Sequence, residues 1–384
     1  MKPIQLFKPK FRKKEILSEI GECCDLGWTG LGYKTVEFEE QWKKYTDFPY
    51  AHFLNSATSG LHLAINILKH VNGWKDKDEI ITTPLTFVST NHPILYENLT
   101  PVFCDIDDSL CMDPDDLLNK ITRKTKAIIF VGVGGNIGQY NKIKQICDDN
   151  DIKLILDAAH MAGTKMTKVF EYGTCQSQVG WDADVSVFSF QAVKNLPTAD
   201  SGMICFNNRD YDSLARKLAW LGIDKDTFSR TNKKGTYKWE YDVNQLGFKY
   251  HGNSVIASMA KIGLKYLDED NKYRRSLAEN YDKLLKNNKK IKVVKHNKDI
   301  LSSRHLYQIR VKNRDKVMEF LNLHNIYPGV HYKSNTLHQV YQNSKNHCPK
   351  AHKYNDEIIS LPMHCFLTKK EQKHIVDILK KATI

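Results

Sequence analysis

Arginine is scarce in this sequence. Of 57 basic residues against 44 acidic ones, only 10 are arginines. The net charge of +13 therefore rests on lysine, a solvated point charge without the fork that reads phosphates and bases. The lysines are spread along the chain and form no basic arm. The excess reads as a solvated surface with a mild pull toward small anions, and no nucleic-acid partner is expected. Long apolar runs are also missing. None approaches the roughly 18 residues of a membrane span, and no apolar h-region follows Met1-Lys2-Pro3-Ile4-Gln5. No membrane partner is expected, and the location reads as cytoplasmic. The 9 cysteines include no CxxC pair, which suits reduced thiols better than a disulfide framework. No metal-ligand set is expected. What remains is an ordinary globular balance, 41% apolar and 26% charged over 384 residues, enough for two or three domains.

Strand-like and helix-like stretches alternate. Strands are expected at Tyr50–Asn55, Glu79–Thr82, Pro101–Ile106, Ala127–Gly132, Leu154–Leu156, Val185–Phe190 and Gly202–Phe206. Helices are expected over Ser59–Val71, Phe87–Glu97, Pro114–Ile121 and Asn141–Asp149. Strands that are apolar throughout and separated by helices indicate an α/β domain with a mostly parallel sheet covered on both faces. After Asn253 the pattern shifts to a long helical segment reaching about Lys289. Short strands at Ile291–Val294 and His305–Val311 follow, with helices at Asp315–Asn325 and Thr368–Lys380. The expected division is a large domain, 1–255, and a smaller C-terminal α+β domain, 256–384.

Three segments carry chemistry. Asn55-Ser56-Ala57-Thr58-Ser59-Gly60 precedes an amphipathic helix. Small residues and hydroxyls at a helix start suit a phosphate, and they equally suit a plain cap. Asp157 closes the apolar strand Leu154-Ile155-Leu156, at the end where ligands bind in α/β sheets, with His160 three residues on. A carboxylate there needs a partner: a protonated ring nitrogen or a helix N-terminus. Lys194 follows the strand in Val187-Phe188-Ser189-Phe190. Partial burial there lowers an amine's pKa and frees it as a nucleophile. A phosphate turn, an acid and a lysine are the three functions pyridoxal phosphate requires. Phe87 supplies an aromatic able to stack on its ring.

These segments resemble the sugar aminotransferases of the DegT/DnrJ/EryC/StrS family, of the aspartate-aminotransferase fold type I. Gly27–Gly32, Val36–Glu39, Asn55–Leu61, Thr82–Phe87, Asp157–Gly163 and Ser189–Asn195 match its motifs in order, as do Tyr266–Asp268, Gly329–Tyr332 and Ser360–Met363. The resemblance implies a Schiff-base and general-base role for Lys194. It implies that Asp157 pairs with the pyridinium nitrogen, that His160 lies against the phenolic oxygen and that Phe87 stacks on the ring. Ala57, Thr58 and Ser189 would bind phosphate, with Asn253 or a neighbour reaching the partner subunit's phosphate in a homodimer with shared sites. Trp28, Thr29, Lys249, His331 and Tyr332 would meet substrate. The implied reaction moves an amino group from L-glutamate to a nucleotide-diphosphate keto sugar, at C4 of a 4-keto-6-deoxy-hexose, giving a product such as viosamine. A 3-keto sugar is the alternative. A pyridoxamine-dependent dehydratase is disfavoured, because that branch replaces the lysine with histidine. Two stretches depart from the family pattern: Gly247–Ser254, and Pro197–Gly202 after the lysine. A third, Gly222–Val243, is longer than usual, and its Arg230, Lys233, Lys234, Tyr237 and Trp239 are candidates to meet the diphosphate.

Overall fold

The structure is a computed structural model that describes residues 2–170, 173–224, 241–344 and 347–383. Arg230, Lys233, Lys234, Tyr237 and Trp239 lie outside the described residues. Seven strands build the central sheet: β1 (Tyr50–Leu54), β2 (Glu79–Thr82), β3 (Thr100–Phe103), β4 (Thr125–Val131), β5 (Lys153–Asp157), β8 (Val185–Ser189) and β9 (Gly202–Phe206). Between β5 and β8 the chain forms a hairpin, β6 (Lys165–Phe170) and β7 (Gly173–Gln178). The order across the large sheet is β3-β2-β4-β5-β8-β9-β1. Six strands share one direction, and β9 alone runs against them, between β8 and β1.

The apolar strands are explained by two-sided burial. Along β4 and β5, Ile128, Phe130, Leu154 and Leu156 enter one core, while Ala127, Ile129 and Ile155 enter the other. Side chains alternate across a strand, so a strand with helices on both faces carries no polar period. Phe38 and Trp42 of helix Tyr33–Thr46 pack on the first face. Leu61, Ile65 and Leu68 of helix Ala57–Asn72 pack on the second.

A second, antiparallel sheet joins β10 (Lys292–Val293), β12 (Tyr307–Arg310) and β13 (Ile358–Leu361). β11 (Ile300–Leu301) instead pairs with β6. Tyr281, Tyr307, Leu321, Ile375 and Leu379 build the core over the second sheet. Ile4 enters that same core, and its backbone bonds to Asn325 and Tyr327. The division expected at 255/256 falls at the start of helix Ser254–Lys265, whose Ala257 and Ala260 enter a core of the large sheet.

Two helices differ from expectation. The stretch Phe87–Glu97 forms a short 3-10 turn, Val88–Thr90, and a five-residue helix, His92–Tyr96. Its Thr90 and Asn91 side chains bond elsewhere, and Pro93 lacks the N–H that would continue an earlier helix. The long segment after Asn253 divides at Tyr266 into Ser254–Lys265 and Leu267–Leu285. Among the described residues no helix is long and apolar enough to cross a membrane.

Candidate active site

Because β1, β5 and β8 are parallel, Leu54, Asp157 and Ser189 end at one edge of the sheet. β9 begins there, with Gly202 paired to both Leu54 and Ser189. A Cβ on Gly202 would stand 2.6 Å from the Ala57 nitrogen and 2.7 Å from the Ser56 carbonyl carbon. Glycine is what lets the turn at the head of helix Ala57–Asn72 sit against the sheet. Ser56 caps that helix, accepting from the Ser59 N–H at 3.1 Å.

A cavity of about 370 Å³ opens over this edge, within the usual range of ligand pockets. Ser56, Ala57, Thr58, Asp157 and His160 line it. Lys194, Phe87, His331 and Tyr332 close around it. The loop bearing Lys194 folds back on itself. Lys194 N–H donates to the Gln191 carbonyl at 2.8 Å, and Thr198 N–H to the Phe190 carbonyl at 2.8 Å. Phe87 is exposed, 58%, with its ring 6.0 Å from that of Tyr332. Thr58 donates to the Ser89 hydroxyl at 3.0 Å.

Burial sets the ionisation of this cluster. It pulls the Lys194 ammonium down to about 8, against the opposing attraction of Asp157. The neutral, nucleophilic amine is therefore far more accessible near neutral pH than on an ordinary lysine. Burial also pushes the Asp157 carboxyl up, opposed by the Thr90 hydroxyl, the Ala159 N–H and Lys194. The hydroxyl stands 2.7 Å from Oδ2 and the N–H 3.1 Å from Oδ1. His160 falls well below the histidine range, through burial first and then through Lys194 and His331. Gly134, at φ 67°, donates its N–H to His160 Nδ1 at 3.1 Å. The neutral ring therefore carries its hydrogen on Nε2, 3.0 Å from the Tyr332 oxygen. Tyr332 keeps its own hydroxyl hydrogen for a partner in the cavity. Burial, then Lys194, pulls His331 down to about 4, so it is neutral as well.

The donor set fits pyridoxal phosphate. Helix-start amides and hydroxyls, a carboxylate and a partly neutral amine line one cavity. Lys194, Asp157, His160, Ala57, Thr58, Phe87, Ser189, His331 and Tyr332 come together around this cavity. Trp28, Thr29, Lys249 and Asn253 do not line it. Asn253 Oδ1 accepts from the Ile256 N–H at 2.9 Å, capping helix Ser254–Lys265. The Lys249 ammonium lies over the Trp220 ring, 3.4 Å from its centre. The backbone of 249–250 does run beside the phosphate turn, its carbonyls accepting from Asn55. Sequence reasoning missed Thr90 and Gly134. Their signals were Thr86 and Thr90 one helical turn apart, and the glycine pair after β4.

The family model described as the DegT/DnrJ/EryC1/StrS aminotransferase family matches residues 10–380. The chain belongs to this family. An uncharacterized protein of Methanocaldococcus jannaschii is 32% identical, over 98% of this chain and 97% of its own. The dTDP-4-dehydro-2,3,6-trideoxy-D-glucose 4-aminotransferase of Saccharopolyspora spinosa is 28% identical, over 99% of this chain and 96% of its own. The PLP form of Streptococcus pneumoniae Spr1654 superposes with a TM-score of 0.88 at 26% identity, covering 99% of this chain and 98% of that one. Its PMP form matches at the same score. The chain is thus a fold type I sugar aminotransferase, an enzyme with pyridoxal phosphate as cofactor that acts on a nucleotide sugar with an amino donor.

Proposed function

We propose that this family member transfers the amino group of L-glutamate to C4 of a nucleotide-linked 4-keto-6-deoxy-hexose. The product is a 4-amino-4,6-dideoxy sugar such as viosamine. The observation that carries the transaminase chemistry is the depressed, cavity-facing amine of Lys194 beside Asp157. The choice of C4 rests on the Saccharopolyspora relative.

In this reading Lys194 anchors the cofactor, Asp157 faces the pyridine nitrogen, Phe87 covers the ring, and Ala57, Thr58 and Ser189 hold the phosphate. Bound there, pyridoxal phosphate supplies an electron sink and a carbon that carries the amino group. Lys194 Nζ, with a pKa near working pH, takes up and returns a proton. Asp157, fixed by Thr90 and Ala159, presents its carboxylate without reorganising. His160 and Tyr332 together offer one hydroxyl hydrogen to an oxygen in the cavity. His331, in the cavity lining, is an uncharged polar group suited to a sugar hydroxyl.

The working unit in this reading is a homodimer with shared sites. The stretch 249–253 is polar and runs along the rim of the phosphate turn; Tyr250 packs on its own subunit's core, while Lys249 is exposed. At a two-fold axis it delivers a donor to the neighbour's phosphate twice.

The test is a product assay with nitrogen-15 L-glutamate and a panel of nucleotide-linked 3-keto and 4-keto sugars. Nitrogen-15 bonded to C4 is expected. Label at C3, or no transfer from glutamate, overturns the assignment.

A further inference from the structure

Asn195 follows Lys194 directly, yet the chemistry above makes no use of it. Its side chain is buried and bonded at both ends. Nδ2 donates to Asn271 Oδ1 at 2.6 Å and to the Ser303 carbonyl at 2.7 Å. Oδ1 stands 2.8 Å from His305 Nδ1. An amide oxygen only accepts, so His305 carries its hydrogen on Nδ1. Ser303 in turn donates its hydroxyl to the His160 carbonyl at 2.7 Å.

Three rings then run from the N-terminal segment to the site. Phe7 stacks on His305, with centres 5.4 Å apart and planes 14° apart. His305 packs on His160, with centres 4.4 Å apart and planes 33° apart. Gly134 and Tyr332 bond the two nitrogens of His160 only if its ring keeps one plane, and His305 is the wall that holds that plane.

We propose that His305, anchored by Asn195, is a positioning residue for His160 in the transamination site. The titratable groups acting on His160 are Lys194, His331, His305 and Tyr332. His305 is itself kept neutral by burial first, and then by His160, Lys194, Arg274 and His331. A second uncharged ring against His160 excludes water from that face. Loss of the ring admits water, lets His160 rotate, and lets it take up a proton. The inference rests on the transaminase reading for the role of His160, and its spectroscopic readout is independent of which sugar is aminated.

The test uses the full chain with nitrogen-15 histidine, before and after loading with pyridoxal phosphate. In the parent, His160 should show one neutral tautomer, hydrogen on Nε2, with no titration through the ordinary histidine range. In His305→Ala its signals should split between tautomers and begin to titrate. Turnover of the loaded enzyme should fall about tenfold, with KM for the keto sugar nearly unchanged. A folded His305→Ala protein whose His160 signals match the parent overturns the proposal. Should His305→Ala fail to fold, Phe7→Ala decides. Weakening of the column should move the same signals in the same direction, and unchanged signals overturn the proposal.

Discussion

Thr90 donates its hydroxyl to Asp157 at 2.7 Å and shares a second bond, 2.8 Å, with the Thr86 hydroxyl. These two threonines hold a carboxylate whose pKa burial pushes up. Thr90→Val keeps the shape and removes the donor. The apo-protein should lose about 1.5–3 kcal/mol near neutral pH, the range for a hydrogen bond to a charged group. Protonated Asp157 needs that donor less. The gap between variant and parent should therefore shrink as pH falls through the raised folded-state pKa. Urea denaturation at several pH values measures it, and an equal gap at every pH would show that the bond does not act through ionisation.

Lys194 predicts a slope of opposite origin. Its folded pKa, about 8, lies below the unfolded value near 10.5. Between these values the unfolded chain binds more protons, so apo-protein stability should rise with pH. The contribution is fully present above the unfolded pKa and is lost as pH falls through the folded one. The full swing is up to about 3 kcal/mol. Lys194→Met should flatten that part of the curve. Parallel parent and variant curves would place the amine in water.

Asp157→Asn should separate chemistry from folding. The amide keeps the volume; its one oxygen can accept from the Ala159 N–H while its NH2 donates to the Thr90 oxygen, so the melting temperature should fall by no more than a few degrees. Turnover should fall by about a hundredfold or more, because an amide does not stabilise a protonated pyridine nitrogen. Near-parental turnover would make Asp157 a structural residue.

Shared sites predict complementation. A Lys194→Ala protein and a Lys249→Ala, Asn253→Ser protein should each be nearly inactive. Serine at 253 keeps a helix cap while removing the amide donor. After subunit exchange, each heterodimer regains one complete site, so an equal mixture should recover about a quarter of parental activity. If mass measurements show exchange and activity stays at parental-variant levels, each subunit builds its own site.

Much of this site was legible because its residues occur where periodicity stops. Asp157 and Ser189 end apolar strands, and the turn at Ser56–Thr58 opens a helix, so local pattern alone puts them at sheet ends. Lys194 was legible for the same reason, a few residues past β8. The reversed direction of β9 was not, because a strand buried on both faces shows the same apolar run in either direction. The β6–β7 hairpin was missed because Lys165–Gln178 is mostly polar and exposed along β7. His305 and Ser303 escaped because their partners, Asn195 and His160, lie more than a hundred residues away in sequence. Asn253 shows the converse. Its resemblance-derived role across a dimer shares a side chain with a local one, the cap it supplies to its own helix.

The pairing of Ile4 with Asn325 and Tyr327 has a consequence for how the molecule is made. A ribosome delivers Ile4 first and its partners about 320 residues later, so this contact is among the most non-local in the chain. Until the segment around Asn325 is made, the early segment is tethered without the core it docks on. Phe7, three residues on, reaches His305 only when that docking occurs. The ring column behind His160 therefore cannot be complete until His305 and the segment that docks Ile4 have left the ribosome, so a nascent chain holds Lys194 and Asp157 well before it holds the wall behind His160.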